Sequence, residues 1–356
     1  MITYNNLYDK ISSFENLYAA AMLARKGKRY EDIVGKFFTN LESELFQLSR
    51  ELYGQTYRPG SYKTKIITRP KVRMISAAPF RDRVVHHALC RVVMPLFEKK
   101  MIFDMHSNRM GKGTHSAIRR AQKFSRRYRF VLKADIRKYF PSMDHEILKA
   151  AFRKTISCQN TLWLMDLIVS ASNPQETVYT WFPGDDLAQA GMRRVGLPIG
   201  NLTSQWFSSI YLSTFDHWVK QQLKCSGYVR YVDDFLLYGN DKRQLANWRT
   251  RIHERLNGYY RLRLNERKTR TFRTSDGITF LGQRIWSDHR RLARENVIVA
   301  RKRLLWNVRQ YSKGRLSEDE LRQRWHSWRG HASQADANGI IEQIRVQLYY
   351  AYGATG

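Results

Sequence analysis

Two adjacent acids stand in an otherwise largely apolar stretch, in Tyr231-Val232-Asp233-Asp234. The runs Tyr228–Val232 and Phe235–Gly239 on either side have the pattern of a β-hairpin. A two-residue hairpin turn favours Asn-Gly or Asp-Gly because positive φ is needed there, so two acids at a buried tip are a poor structural choice. A solvated turn is the plain alternative. A divalent-cation site is the chemical one, since the ion neutralises clustered carboxylates. A third acid, Asp135, ends the run Val131-Leu132-Lys133-Ala134. It is the one acid among nine Lys/Arg between residues 119 and 138. Alone, such an acid is a cap or a salt-bridge partner. With Asp233 and Asp234 it makes three carboxylates from two strand ends, a set that can hold two Mg²⁺ ions about 3.5–4 Å apart for in-line phosphoryl transfer. Mg²⁺ takes oxygen ligands and keeps positions for substrate phosphates.

The elements that must position these acids follow from periodicity and turn residues. Residues 12–53 read as helical, with Leu41, Leu45 and Leu48 at helical spacing. Tyr62–Thr68 and Val72–Ser76 read as strands around a turn at Arg69–Pro70. Residues 80–99 and the basic stretch 116–128 read as helices, with a loop at 106–115 between them. Phe130–Ile136 reads as a strand. Helix is expected from Ser142 to about Ser172, irregular chain through Gly196, and helix again over Leu202–Leu223. Residues 242–260 are expected to be helical and 278–286 to be a strand. Residues 294–311 and 317–350 are expected to be mostly helical. Strands in the middle and helices at both ends suggest α+β rather than regular βαβ repeats.

Composition sets the partner. The 356 residues hold 62 Lys+Arg against 31 Asp+Glu, a formal net charge of +31. Such a charge repels itself unless an anionic partner is usual, and nucleic acid is the commonest one. At 43% hydrophobic and 13% aromatic the chain can bury a core, which argues against wholesale disorder. Three scattered cysteines, Cys90, Cys158 and Cys225, make neither a CxxC nor a Cys/His cluster and fit a reducing compartment. The N-terminus lacks an apolar signal core. The uncharged run Val195–Phe215 carries too many polar groups for a lipid-facing helix. No membrane partner and a cytoplasmic location are expected.

In order along the chain, these motifs resemble those of reverse transcriptases. Asp135 with Tyr139 and Phe140 resembles the family's first palm motif, and Gly196-Leu197-Pro198-Ile199-Gly200-Asn201-Leu202-Thr203-Ser204-Gln205 the second. Tyr231-Val232-Asp233-Asp234 resembles the third, Asn265-Glu266-Arg267-Lys268 the lysine-bearing motif that follows, and Phe280-Leu281-Gly282 the primer grip. Lys71-Val72-Arg73 and Asp82–Leu89 look like the fingers of bacterial members. Ile199 and Gln205 stand where most members carry Gln and Pro. That variant, with Ser327-Trp328-Arg329-Gly330-His331, resembles the reverse transcriptases of diversity-generating retroelements, which make cDNA with errors at template adenines.

The resemblance implies an α+β right-hand polymerase. It implies an N-terminal helical extension over 1–60, fingers over 61–130, a palm over 131–286 with an insertion at about 150–195, and a helical thumb over 287–356. The 71 residues after Ile285 are expected to leave no room for an RNase H, integrase or long endonuclease domain after a thumb. The activity implied is RNA-directed DNA synthesis from dNTPs with two Mg²⁺ ions. Asp135, Asp233, Asp234 and the carbonyl of Ile136 would be metal ligands. Phe140 would be the steric gate that rejects a 2′-hydroxyl. Lys71 and Arg73 would clamp the triphosphate, and Lys268 would protonate the departing pyrophosphate. Ile199, Gly200 and Gln205 would lie at the dNTP, Gly200 allowing close backbone approach. Loss of an amide at Ile199 would weaken the check on base-pair shape.

The stretch Arg294–Tyr311 has an apolar stripe of Val297, Ala300, Leu304, Val308 and Tyr311 beside a basic face of Arg294, Arg301, Lys302 and Arg309. In a thumb that face would track the RNA/DNA hybrid, although a merely solvated face fits the pattern equally. Expected partners are a structured template RNA, the RNA/DNA hybrid, dNTPs and an accessory basic protein of the retroelement, in a bacterial or phage-infected cell. Two rivals stand beside this reading. One is a reverse transcriptase of a retron, phage-defence or CRISPR-linked system; the other is a catalytically silent RNA-binding scaffold.

Overall fold

The computed structural model describes residues 2–68, 72–173, 176, 178 and 181–353. The N-terminal part is helical: α1 (Tyr8–Ser12), α2 (Phe14–Arg25), α3 (Asp32–Thr39) and α4 (Leu41–Tyr53). The hairpin β1 (Lys63–Ile67) and β2 (Arg73–Ala77) follows, then α5 (Phe80–Glu98) and α6 (Thr114–Ser125). The middle holds β3 (Phe130–Asp135), α7 (Tyr139–Ser142), α8 (His145–Arg153), α9 (Gln159–Ser170), α10 (Leu187–Met192), α11 (Leu202–Tyr211) and α12 (Ser213–Gln221). It continues with β4 (Gly227–Tyr231), β5 (Asp234–Gly239), α13 (Lys242–Tyr260) and β6 (Arg270–Arg273). Last come β7 (Ile278–Phe280), β8 (Gln283–Ile285), β9 (Arg290–Leu292), α14 (Arg294–Ser312), α15 (Glu318–Ala332) and α16 (Asn338–Gly353).

The centre is a four-stranded antiparallel sheet in the order β4-β5-β3-β6. Its inner strands are buried on both faces, which is why they read as near-continuous apolar runs. Leu132, Ala134, Phe235 and Leu237 join the large core built with the N-terminal helices, α5, α9 and α11. Val131, Leu236 and Tyr238 face the other way, against Ala117, Ile118 and Ala121 of α6 and Phe280 and Ile285 of the small sheet. Two cores therefore pin one register, because a one-residue slip would exchange the two sets.

The α+β expectation holds, and the differences lie in the breaks. The stretch 12–53 splits into α2, α3 and α4, interrupted where Gly27 takes φ +75° and again at Asn40. A new helix, α8, starts where Asp144 Oδ1 accepts the N–H groups of Glu146 and Ile147, and it ends before α9. The helix expected over 202–223 breaks at Leu212. The strand expected over 278–286 is a hairpin, β7–β8, whose turn is Leu281-Gly282, both at positive φ. Strand β6 was not foreseen; its four residues are all exposed, so nothing alternates. Ser317 and Glu320 form a capping box that starts α15. The C-terminal helices pack on a small core of Leu292, Ala332, Ala335 and Ala337. Among the described residues no helix is long and apolar enough to cross a membrane.

Candidate active site

The three acids meet at one end of the central sheet. Asp135, last residue of β3, pairs directly with Asp234, first residue of β5. Tyr231 pairs with Asp234 on the other side, so the two central turn residues are Val232 and Asp233. This corrects the expected tip, Asp233–Asp234, by one residue. The backbone pairing places it there: Asp234 lies opposite Asp135 on one side and Tyr231 on the other, so it is a strand residue of β5. Asp233 is then the acid in the turn. Its carbonyl accepts from the Ile136 N–H at 3.2 Å, tying the turn to the residue after Asp135.

The electrostatics are those of crowded carboxylates. Burial, then repulsion from Asp135, raises the pKa of Asp233, while Lys268 and Arg73 oppose the rise. Asp234 is pushed up to about 7, chiefly by burial, with Asp233 and Asp135 adding repulsion and Lys133 opposing. Its Oδ1 atom is buried with no hydrogen-bond partner. An orphaned buried carboxylate oxygen among repelling acids is a donor set that suits a hard divalent cation. Asp135 is otherwise engaged. Lys268 Nζ donates to its Oδ2 at 2.6 Å and Asn265 Nδ2 to its Oδ1 at 3.0 Å. The Asn265 N–H also donates to the Asp135 carbonyl at 2.7 Å. Among the described residues, no three His, Cys, Asp or Glu side chains already converge as an ion-holding group.

The other expected residues divide into those near the acids and those elsewhere. Arg73, exposed on β2, is close enough to depress the Asp233 pKa. Lys71 lies outside the described residues. Lys268 sits on Asp135 rather than standing apart as a lone donor. Tyr139 is buried and its hydroxyl donates to the Ser208 carbonyl, so it packs, whereas Phe140 is half-buried. The Phe140 carbonyl accepts from the Leu197 N–H at 3.0 Å, which joins the first motif to the second.

The second motif docks on β2. Ser76 N–H donates to the Ile199 carbonyl at 2.9 Å, and Asn201 bonds the Ser76 carbonyl and the Ala78 N–H at 2.9 and 3.1 Å. The close approach at Gly200 is therefore to Ile75 and Ser76 of β2. Ile199 is half-buried. Gln205 is exposed, and its carbonyl accepts from Asn108 Nδ2. Arg294, Arg301, Lys302 and Arg309 are all exposed on α14, with Leu304 and Val308 of the apolar stripe buried beneath.

Sequence reasoning assigned no role to Asn265, Ser107, Asn201 or Arg230. Arg230 left a signal: a lone cation inside the apolar run Gly227–Tyr231. It is fully buried and paired with Asp216 at 2.6 Å. The loop at 111–114 makes two contacts within the protein. Lys112 Nζ lies 3.9 Å from the centroid of the Phe103 ring, and Thr114 Oγ1 donates to the Tyr231 hydroxyl at 3.2 Å.

Residues 62–285 match the family described as reverse transcriptase (RNA-dependent DNA polymerase). The chain is similar to Protein YkfC of Escherichia coli (strain K12), 25% identical over 310 residues, 75% of this chain and 78% of that protein. It is also similar to nuclear intron maturase 1, mitochondrial, of Arabidopsis thaliana, 28% identical over 103 residues, 28% of this chain and 14% of that one. Among solved structures, apo telomerase from Candida Tropicalis aligns with a TM-score of 0.51 at 14% identity, over 84% of this chain and 58% of the telomerase chain. This chain thus spans little more than half the telomerase, and at that identity the likeness concerns the fold, a right-hand polymerase fold. The sequence match over 62–285, which contains all three carboxylates, carries the assignment: the chain belongs to the reverse transcriptase (RNA-dependent DNA polymerase) family.

Proposed function

We propose that this chain copies a structured RNA of its own retroelement into cDNA, as the polymerase of a diversity-generating retroelement. The observation that carries the polymerase reading is the facing pair Asp135 and Asp234, with Asp233 in the adjoining turn. Asp135, Asp233, Asp234 and the Ile136 carbonyl would hold two Mg²⁺ ions, which when bound activate the primer 3′-oxygen and stabilise the leaving one. Arg73, with Lys71, holds the triphosphate by charge. The Lys268 ammonium, at the same end of the sheet, donates its proton to the departing pyrophosphate. The Phe140 ring lies under the sugar and excludes a 2′-hydroxyl. Ile199, Gly200 and Gln205 border the incoming nucleotide, and Ile199 offers it no amide, which lowers discrimination. The basic face of α14 tracks the hybrid backbone.

In this reading residues 1–60 are the extension, 61–130 the fingers, 131–286 the palm and 287–356 the thumb. An accessory basic protein assists, and the enzyme works in the cytoplasm of a bacterial or phage-infected cell. The subfamily rests on Ile199, Gln205 and the Ser327–His331 stretch. A second reading, an intron-type reverse transcriptase without mutagenic copying, is favoured by the similarity to the intron maturase of Arabidopsis thaliana.

Primer extension on a heterologous RNA template, with Mg²⁺ and all four dNTPs, separates these readings once products are deep-sequenced. Extension lost in Asp233→Ala, with substitutions concentrated opposite template adenines, is the expected result. Accurate extension removes the diversity-generating reading and keeps the polymerase. No extension, even with the native RNA and accessory protein, removes the polymerase.

A further inference from the structure

The turn that carries Asp233 departs from hairpin rules at Val232, where φ is +58°. Asp233 does not share the positive φ. Positive φ at the first central position alone is the type II′ pattern, where glycine is usual. A β-branched residue there is an outlier that surrounding contacts must hold in place.

Two side chains hold it, one on each side. Ser107 Oγ accepts from the Val232 N–H at 3.1 Å. Arg230 Nη1 donates to the Val232 carbonyl at 2.9 Å. Both peptide groups flanking the Val232 Cα are thereby fixed, and neither holder is loose. Ser107 is wholly buried on a segment that runs along β4. There the Arg230 N–H donates to the Asp104 carbonyl and the His106 N–H to the Arg230 carbonyl, each at 3.0 Å. Next to it, Asn108 Nδ2 donates to the Gln205 carbonyl at 2.9 Å and to Ser209 Oγ at 3.2 Å, tying the segment to α11. The Arg230 guanidinium is gripped by both oxygens of Asp216 at 2.6 Å, and Tyr228 donates its hydroxyl to the same carboxylate at 2.8 Å. A buried ion pair is weak evidence for stability, because burial penalises both charges. Its reach to the Val232 carbonyl gives this one a second use.

We infer that Ser107 and Arg230 are positioning residues of the polymerase site: they hold Val232 in its left-handed conformation and so set the direction of Asp233. Asp234 needs no such help, since sheet pairing on both sides places it. The inference rests on the proposed role of Asp233.

The test uses the full chain. Ser107→Ala deletes the acceptor with little change in volume. Four quantities are read: kcat and KM for dTTP on a poly(rA)/oligo(dT) template with Mg²⁺, the melting temperature, and amide hydrogen exchange over residues 231–234. The expected result is kcat about tenfold lower or more, KM and melting temperature near wild type, and exchange about tenfold faster. Val232→Gly added to Ser107→Ala should restore most of kcat, because glycine adopts the turn unaided. Arg230→Lys, which keeps the charge beside Asp216 but loses the two-point grip and so melts lower, should lose kcat and gain exchange as Ser107→Ala does, and Val232→Gly should restore kcat likewise. Unchanged exchange in Ser107→Ala overturns the inference. So does unaltered kcat, or a loss that Val232→Gly does not restore. If wild type extends no primer under any condition, the polymerase reading falls and exchange alone decides: faster exchange supports the hold on Val232, unchanged exchange refutes it.

Discussion

Gly200→Ala is the sharpest test of how the second motif is seated. Gly200 has φ +119°, and an added Cβ would lie 3.0 Å from Ile75 Cγ2 and 3.4 Å from the Ser76 carbonyl oxygen. Holding alanine at that φ costs about 1–3 kcal/mol. The contact with Ile75 adds roughly 1 kcal/mol of overpacking. The chain cannot simply lift away, because Ser76 holds the Ile199 carbonyl and Asn201 bonds the Ser76 carbonyl of β2 and the Ala78 N–H just beyond it. The expected loss is therefore about 2–4 kcal/mol, read by urea unfolding of the full chain. Ile75→Ala removes the steric part alone, so the double variant should show a favourable coupling of about 1 kcal/mol. Since Ile199 and Gly200 are proposed to border the nucleotide, KM for dNTP should rise in Gly200→Ala. A variant as stable as wild type, or strictly additive losses in the double variant, would refute the seating argument.

Other outcomes follow from the same geometry. Ile199→Gln should lower the substitution frequency in sequenced products, and an unchanged error spectrum would sink the link between Ile199 and fidelity. Arg301→Gln, Lys302→Gln and Arg309→Gln combined should reduce the slope of log K against log salt for hybrid binding by about two to three if all three touch phosphates; anisotropy titrations at several salt concentrations measure it. His106 has its pKa lowered from 6.5 to about 4, by burial and then by Lys112. The unfolded chain therefore takes up this proton near pH 6.5 while the folded protein resists it down to about 4, so the contribution is intact above 6.5 and lost as pH falls. Between pH 7 and 5 the stability of wild type relative to His106→Gln should drop by up to about 2 kcal/mol. Parallel stability curves for the two proteins would show that His106 is not held neutral.

Much of the site was legible because its chemistry conflicts with its surroundings. Three acids in apolar strands of a strongly basic chain stand out whatever the fold, and the spacing of Leu304 and Val308 exposes the basic face of α14 without coordinates. Arg230 gave a comparable signal, a cation in an apolar strand, but its use depends on Asp216, fourteen residues away, and on the Val232 carbonyl. Lys268 was legible as a motif residue, and its position on Asp135 was not. Strand β6 carries no pattern at all, since its pairing with β3 uses backbone groups and leaves its side chains in solvent.

By itself the sequence determined the inventory and its order: the acids, the amphipathic α14, the α+β layout and the family the motifs belong to. Those are local properties of composition and period. Tertiary structure decided that Asp135 faces Asp234, that Val232 and Asp233 form the turn, and that Ser107 and Arg230 hold it. Strand register is the physical reason. Either residue pair could sit at the tip as far as local propensity is concerned. The choice is made when β5 pairs with β3 on one side and β4 on the other, which sets Asp234 opposite both Asp135 and Tyr231, and only the folded chain brings those three strands together.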